Sequence, residues 1–378
     1  MIYFDNAATT APYPEVLKTY TDTATRIMGN PSSLHNLGTT ATRLLSASRR
    51  QFAELLGVSS EEIFFTSGGT EGDNWVVKGV AWEKAERGRH IILSAIEHPA
   101  VKNTAAWLKT QGFEVDLAPV TADGFVDISA FSALLRNDTI LVSVMAVNNE
   151  IGSIQPLTEI AAILENRPGV TFHVDAVQAL GKLAVSDFLL PRVDFATFSA
   201  HKFHGPRGVG IVYAKAGKRI TPLLHGGGQE ENLRSTTENL AGIAASAKAL
   251  RLTLDNTDVK RQHVREMKRI ILDELKKHDR VLLFSAIDDF APNILTFGLK
   301  GIRGEVVVHA FEQHEIYLST TSACASKKNA AASTLMAMHV PAEDATTAVR
   351  ISLDAMNTMT EIEQFLTIFR TIYQNLIR

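Results

Sequence analysis

The sequence is poor in cysteine, and Cys324 is the only one in its 378 residues. A single cysteine cannot form a disulfide within the chain, which is typical of proteins from reducing compartments. The first residues, MIYFDNAATT, have neither the charged stretch nor the apolar stretch of a signal peptide. The apolar run TILVSVMAV falls well short of the ~20 residues that a membrane-spanning helix needs. We therefore expect a cytoplasmic protein.

An excess of charge of either sign is also missing. The chain has 38 Lys and Arg against 41 Asp and Glu, a formal net charge of −3. This balance gives no basic face, so nucleic acid is not expected as a direct ligand. The content of 45% hydrophobic and 21% charged residues is that of an ordinary globular chain of about two domains.

Short runs rich in β-branched and aromatic residues alternate with helical patterns. The predicted strands are 62–66, 90–96, 113–118, 139–147, 171–176, 193–200 and 208–214, and the predicted helices include 42–57, 71–87, 99–111, 128–136 and 156–166. Continuous apolar strands alternating with helices indicate a doubly wound α/β domain with a mainly parallel sheet covered on both faces. A long helical pattern over 240–278 leads into a smaller α+β region. We place the large domain at 16–250 and the small one at 1–15 together with 251–378.

In open parallel sheets, ligands bind outside the carboxyl ends of the strands, so the residues after each strand are candidates for a site. After the first strand, Gly68 and Gly69 allow close backbone approach, and Thr70 begins a helix whose free N–H groups favour an anion such as phosphate. A glycine turn with a threonine cap explains this stretch as well. His98 follows the second strand, where a histidine is often only a surface or capping group.

Two further strand ends carry polar residues. Asn148, Asn149 and Glu150 form a cluster that serves either a turn or a ligand. Asp175 closes an apolar strand and is followed by Gln178. A buried carboxylate needs a partner, although Asp175 could also cap the next helix.

The stretch SAHKFHGPRGVG is the most informative in the chain. Ser199, His201 and Lys202 directly follow an apolar strand. A lysine at such a position is partly desolvated, which lowers the pKa of its amine and suits it to be a Schiff-base nucleophile or a proton carrier. Ser199 and His201 can bind phosphate. A purely structural role for the stretch is the alternative.

Together these groups match the needs of one cofactor, pyridoxal phosphate. It requires a lysine for its aldehyde, an acid facing its pyridine nitrogen, a phosphate cradle and a flat partner for its ring. The sequence offers them in Lys202, Asp175, Gly69 with Thr70, and His98.

At this point the chain resembles the cysteine desulfurases of the class V aminotransferase fold, in the group related to nitrogenase-associated and iron–sulfur-assembly enzymes. The matching motifs are YFDNAATT (3–10), GNPSSLH (29–35), TSGGTE (66–71), EHPA (97–100), VNNEIG (147–152), HVDAVQ (173–178), SAHKFHGPRGVG (199–210), HGGGQE (225–230) and SACAS (322–326). The resemblance implies a fold type I transferase with a mainly parallel seven-stranded sheet flanked by helices and a smaller α+β domain.

The resemblance also implies a role for each matching residue. Lys202 would bond to the cofactor aldehyde, His98 would stack on the ring and assist proton transfer, and Asp175 would pair with the pyridine nitrogen. The implied contacts are Asn149 and Gln178 to the phenolic oxygen, and Gly69, Thr70, Ser199 and His201 to the phosphate. Thr237 would reach the phosphate in a neighbouring subunit, which implies a homodimer.

In such enzymes a thiolate attacks the sulfur of L-cysteine, giving alanine and a persulfide on the enzyme. Cys324 would be that thiolate, and a run of small polar residues around it would let it move. Arg350 would clamp the substrate carboxylate with its planar fork of donors, unless it forms only a surface ion pair. Asn30 would help to position the same carboxylate.

Two residues depart from the family pattern, because Thr236 and Asp354 stand where glycine is common. Asp354 would place a negative charge near the carboxylate clamp. The sulfur acceptor could belong either to iron–sulfur assembly or to transfer-RNA thiolation. We expect no resident metal, and Cys324 is the only residue that we expect to contact an iron–sulfur cluster, transiently. A class V aminotransferase, a selenocysteine lyase, or a non-catalytic sulfur-relay protein are the alternatives.

Overall fold

The computed structural model of the chain describes residues 1–285, 289–321 and 333–377. Its strands are β1 (Ile2–Tyr3), β2 (Ile63–Thr66), β3 (His90–Ser94), β4 (Glu114–Ala118), β5 (Thr139–Ser143), β6 (Thr171–Asp175), β7 (Phe195–Ser199), β8 (Gly210–Ala214), β9 (Val281–Leu283), β10 (Ile294–Leu299), β11 (Ile316–Tyr317), β12 (Ser319–Thr320) and β13 (Ala348–Ser352). Its α-helices are α1 (Pro14–Arg26), α2 (Asn36–Leu56), α3 (Gly69–Glu83), α4 (Pro99–Thr110), α5 (Ile128–Leu134), α6 (Leu157–Glu165), α7 (Val185–Phe188), α8 (Leu240–Leu254), α9 (Thr257–Leu275), α10 (Gly304–Glu312), α11 (Ser333–Ala337), α12 (Ala342–Ala345) and α13 (Met359–Leu376). In the described part of the chain, no helix is long and apolar enough to cross a membrane.

The large sheet has the strand order β2-β8-β7-β6-β5-β3-β4. Strand β8 runs antiparallel to both of its neighbours, and the other pairs are parallel. Both faces are covered, so that every residue of β5, β6 and β7 is buried. This confirms the predicted seven-stranded, mainly parallel sheet flanked by helices, and it explains why its strands are continuous apolar runs.

A smaller lobe is built on an antiparallel sheet with the order β12-β13-β10-β9. The N-terminal strand β1 pairs in parallel with β11 beside it. This lobe has an apolar core of its own, in which Phe297, Phe311, Phe365 and Phe369 are fully buried. That separate core supports the predicted division near residue 250, which stays a prediction.

The single helical pattern predicted over 240–278 is wrong in one respect, because two helices occupy it. Helix α8 ends at Leu254 and α9 begins at Thr257. Between them Asn256 adopts a left-handed conformation, with φ of 52°. Asparagine tolerates this conformation better than most residues. The turn at Asn256 leads the chain from the large lobe into the small one.

Candidate active site

A cavity of about 710 Å³ lies at the carboxyl ends of the parallel strands, where an open α/β sheet binds its ligands. The residues predicted as functional that line it are Gly69, Thr70, His98, Asn149, Asp175, Gln178, Ser199, His201, Lys202 and Arg350. They come from five strand ends and from the small lobe. The fold therefore brings together side chains that are up to 281 residues apart, the separation of Gly69 and Arg350.

Lys202 lies in the short 3-10 turn that follows β7. Its Nζ donates hydrogen bonds to the carbonyl oxygens of Ala7 (2.7 Å) and Ala8 (2.8 Å). Burial lowers the pKa of Lys202 to about 8, and the positive charges of Arg350 and Lys182 add to this effect. A minority of the amine is therefore uncharged near neutral pH, and this form can act as a nucleophile or proton acceptor.

The N-terminus of α3 faces the cavity with Gly69 and Thr70. A Cβ atom on Gly69 would lie 2.8 Å from Cγ2 of Val177 and 3.5 Å from Cβ of Ser199. The absence of a side chain there is thus a steric requirement. The first turn of this 15-residue helix keeps its free backbone N–H groups at the cavity wall, where they suit an anion.

His201 lines the same cavity as the N-terminus of α3. Its Nδ1 is 3.1 Å from Oγ1 of Thr9. Burial lowers the pKa of His201 to about 4, and the charges of Lys202 and Arg207 act in the same direction. The ring is therefore neutral at physiological pH and interacts with an anion as a hydrogen-bond donor rather than as a charge.

His98 both caps a helix and lines the cavity. Its Nδ1 accepts a hydrogen bond from the backbone N–H of Ala100 (3.1 Å), and Pro99 occupies the first helical position of α4. Burial lowers the pKa of His98, with Lys202 and Lys102 contributing in the same direction and Asp175 opposing them. The capping and the functional interpretations are therefore compatible, because one ring nitrogen serves the cap and leaves the other available.

Asp175 is buried at the end of β6, with only 5% of its surface exposed. Its Oδ1 accepts a hydrogen bond from the backbone N–H of Val177 (3.0 Å). Burial raises the pKa of Asp175, and the charges of His98 and Lys202 oppose the rise. A carboxylate in this position stays ionised most readily when a cationic ligand group lies against it.

Arg350, in the middle of β13, crosses from the small lobe into the cavity. It donates hydrogen bonds to the carbonyl oxygen of Asn149 (2.7 Å) and to Oδ1 of Asp5 (2.8 Å). The ion pair considered from the sequence therefore exists, but it is partly buried rather than on the surface, and Arg350 is its member at the cavity wall. Each terminal nitrogen of the guanidinium carries a second N–H group, which could donate to a ligand carboxylate.

The neighbouring Asn148 has a structural role instead. Its Oδ1 accepts hydrogen bonds from the backbone N–H groups of Glu150 and Ile151, both at 2.9 Å. The turn explanation thus applies to Asn148, while Asn149 lines the cavity.

Three predicted residues are not among those lining the cavity. Asn30 is exposed, and its Oδ1 accepts a hydrogen bond from the backbone N–H of Ser32. Thr237 lines a second cavity of about 200 Å³, which adjoins the first through Ser67 and Gly208. Cys324 lies outside the described residues.

The cavity wall also contains residues that sequence reasoning did not assign. They include Ala7, Ala8, Thr9, Asp73, Arg207, Ser319, Thr320 and Thr321. The motif YFDNAATT contains the first three, but they act through backbone and hydroxyl groups that a search for charged side chains overlooks. Among the described residues, no group of three or more His, Cys, Asp or Glu side chains could hold a metal ion.

Comparison with known proteins agrees with this geometry. The class-V aminotransferase family profile matches residues 2–365. A NifS/IcsS protein homolog of Lactobacillus delbrueckii subsp. bulgaricus is 53% identical over 99% of this chain and 98% of that protein. The cysteine desulfurase IscS of Clostridium botulinum (strain Hall) is 37% identical over 98% of this chain and 94% of that protein.

A solved structure of a NifS-like protein superposes with a TM-score of 0.92 and 38% identity, and the match covers 99% of both chains. Full-length similarity at this level extends through both lobes and all the strand ends that form the cavity. The chain therefore belongs to the class-V aminotransferase family and to its NifS/IscS group of cysteine desulfurases.

Proposed function

We propose that this protein removes sulfur from L-cysteine with pyridoxal 5'-phosphate as cofactor, releases L-alanine and keeps the sulfur as a persulfide on Cys324. Enzymes of this family use that cofactor. The observation that carries the proposal is a single cavity lined by a buried amine (Lys202), a guanidinium (Arg350) and Thr321, three residues before the thiol.

The residues present fit the cofactor. The Gly69 cradle and the α3 N-terminus, with Ser199 and His201 beside them, would hold its phosphate. Burial raises the pKa of Asp175, and a protonated pyridine nitrogen would supply the cationic partner that keeps this carboxylate ionised. The volume of about 710 Å³ also suits a small cofactor together with an amino acid.

When bound, pyridoxal phosphate supplies an electron sink for negative charge developing at the substrate Cα. Asp175 would keep the ring nitrogen protonated, and His98 would provide a flat surface for the ring. Lys202 would accept the Cα proton, since its lowered pKa leaves it partly uncharged. Asn149 and Gln178 would orient the ring through its phenolic oxygen.

Arg350 would hold the substrate carboxylate. Two of its donors are fixed by Asn149 and Asp5, so the guanidinium plane has a set orientation before substrate arrives. A preorganised planar donor set favours a bidentate carboxylate contact. Asn30 would help to position the same carboxylate, although it does not line the cavity of its own protomer.

Thr321, which precedes Cys324 by three positions in the sequence, lines the cavity wall. The thiolate of Cys324 would attack the sulfur of bound L-cysteine. One C–S bond breaks and one S–S bond forms, and the carbon that loses sulfur gains a proton, so that cysteine and enzyme thiol become alanine and enzyme persulfide.

We further propose a homodimer that works in the cytoplasm and passes the persulfide sulfur to an acceptor protein of iron–sulfur assembly or transfer-RNA thiolation. Thr237 is exposed beside the second cavity, where a neighbouring subunit's cofactor phosphate would be within its reach. The side chains of Met28, Leu34 and Leu37 are also exposed, and burying such apolar groups favours association of two copies.

Alanine production from L-cysteine by purified protein loaded with pyridoxal phosphate tests the proposal. Lys202→Ala should abolish it, and Cys324→Ser should abolish it while leaving cofactor binding intact. Continued consumption of L-cysteine by Cys324→Ser with a keto acid as product would identify an aminotransferase instead. Failure of the unsubstituted protein to bind the cofactor would favour a non-catalytic relay, and alanine release from selenocysteine alone would identify a selenocysteine lyase.

A further inference from the structure

Two residues after Lys202, His204 forms a buried pair with Asp354 of the small lobe. Nε2 of His204 is 3.0 Å from Oδ2 of Asp354, and the two side chains are 4% and 12% exposed. The ring of Tyr13 stacks on His204 at a centroid distance of 4.1 Å. The sequence predicts the charge of Asp354 near the carboxylate clamp, Arg350. In the structure the side chain of Asp354 contacts that of His204, which lies 150 positions earlier in the chain.

Both ring nitrogens of His204 have oxygen partners. Nδ1 is 2.8 Å from the carbonyl oxygen of Ala11, and Nε2 faces the carboxyl group of Asp354. The ring of His204 therefore connects the N-terminal segment at residue 11 to the residues that follow β13.

Asp354 is ionised in this arrangement. Its Oδ1 accepts a hydrogen bond from the backbone N–H of Met356 (3.0 Å). Burial opposes its ionisation, but the hydrogen bond and the charge of His204 outweigh burial and hold the pKa of Asp354 below its usual range. The two side chains are therefore buried against each other, and each has a second hydrogen-bond partner.

This buried pair joins the lysine turn to the N-terminal segment and to the small lobe. The backbone N–H of His204 donates to Oγ1 of Thr10 (2.8 Å), and the backbone N–H of Thr10 donates to the carbonyl oxygen of His201 (2.9 Å). The same N-terminal segment supplies the Ala7 and Ala8 carbonyls that hold Lys202 Nζ. His204 has a left-handed backbone, with φ of 63°, which this network keeps in place.

We propose that the His204–Asp354 pair positions Lys202, by fixing the lysine turn against residues 7–11 on one side and against the end of β13 on the other. Lys182 reinforces the turn, because its Nζ donates to the carbonyl oxygen of Lys202 (2.7 Å). The other titratable groups around the small cavity at this pair are Tyr13, Lys260 and Arg261. Asp354 is the single carboxylate among these residues, and it therefore balances the positive charges that surround it.

The test follows release of pyridoxal phosphate from the holoenzyme by its visible absorbance. It rests on the proposed function only in that Lys202 holds this cofactor. Asp354→Asn and His204→Gln should each speed release by about tenfold or more, because each weakens the buried contact that joins the lysine turn to the small lobe. Unchanged release in both variants would overturn the proposal. The double variant should release no faster than the faster single variant, since the two residues act as a unit.

Two controls make this test specific. Asp123→Asn removes an exposed carboxylate and should leave release unchanged. Phe369→Leu disturbs the core of the small lobe and should lower the melting temperature without speeding release. Equal acceleration in Phe369→Leu and Asp354→Asn, at equal loss of melting temperature, would overturn the positioning role. Release as predicted without alanine formation would refute the proposed function and leave the positioning role supported.

Discussion

Lys202 and Gln178 donate hydrogen bonds to the same oxygen, the carbonyl of Ala7, at 2.7 and 2.9 Å. A backbone atom near the N-terminus thus fixes two side chains that come from different strand ends of the large lobe. The first ten residues belong to the active site through this contact.

The shared carbonyl predicts an effect of Gln178 on cofactor binding. Gln178→Ala removes one of the two donors and leaves Ala7 less firmly held, so the dissociation constant for pyridoxal phosphate should rise about tenfold, the value of one good hydrogen bond. Equilibrium titration of cofactor-free protein measures it. The matched variant Gln313→Ala, at an exposed position, should bind normally. An unchanged dissociation constant in Gln178→Ala would show that the contact with Ala7 is dispensable.

The lowered pKa of Lys202 predicts how cofactor capture depends on pH. Only the uncharged amine attacks an aldehyde, so the capture rate of cofactor-free protein should rise with pH and reach half of its maximum near pH 8. Arg350→Met removes a positive charge that lowers this pKa, and the midpoint should move to higher pH. Stopped-flow absorbance measures both curves. A midpoint near the 10.5 of an ordinary lysine would contradict the environment described for Lys202.

The steric contact at Gly69 predicts that a second substitution can restore the cofactor affinity lost in Gly69→Ala. Gly69→Ala should weaken cofactor binding by about tenfold or more, because its Cβ would lie 2.8 Å from Cγ2 of Val177. Val177→Ala removes that methyl group, so the double variant should recover most of the affinity. Gly169→Ala has room for a methyl group and serves as control. Equal affinity losses in the single and double variants would mean that Val177 is not the obstacle.

The buried carboxyl group of Glu97 should make the free energy of unfolding depend on pH. Its Oε1 accepts hydrogen bonds from Ser94 (2.6 Å) and from the backbone of Met145 (2.7 Å), and burial raises its pKa to about 8. The folded protein then holds a proton that the unfolded chain loses above about pH 4.5, so this group's stabilising contribution falls between that pH and pH 8.

Glu97→Gln keeps the acceptor oxygen and cannot ionise. Its free energy of unfolding, relative to that of the unsubstituted protein, should therefore rise by a few kcal/mol from about pH 5 to about pH 8. Urea unfolding of cofactor-free protein at several pH values measures the difference. A difference that stays constant with pH would mean that Glu97 is ionised in the folded protein.

Much of the fold follows from local patterns. The strands β5, β6 and β7 are continuous apolar runs because both faces of the sheet are covered, and such runs are visible in sequence. The break between α8 and α9 was missed because Asn256 differs from its neighbours only in tolerating a left-handed backbone. Apolar spacing alone does not detect a change of that kind.

The candidate site likewise contains residues that local sequence patterns identify and contacts that they do not. Lys202 and Asp175 follow apolar strands directly, so the rule for strand ends identifies them. The pairing of Asp354 with His204 depends on how the two lobes meet, and no local pattern encodes it. For His98 the sequence posed a choice between cap and ligand, whereas the two nitrogens of one ring allow both.

The most direct measurement is the intact mass of the holoenzyme after brief incubation with L-cysteine, followed by peptide mapping without reducing agent. The account predicts a gain of one sulfur atom, about 32 Da, on the peptide that contains Cys324, with an equal amount of alanine released. Consumption of L-cysteine with no added mass at Cys324 would contradict it.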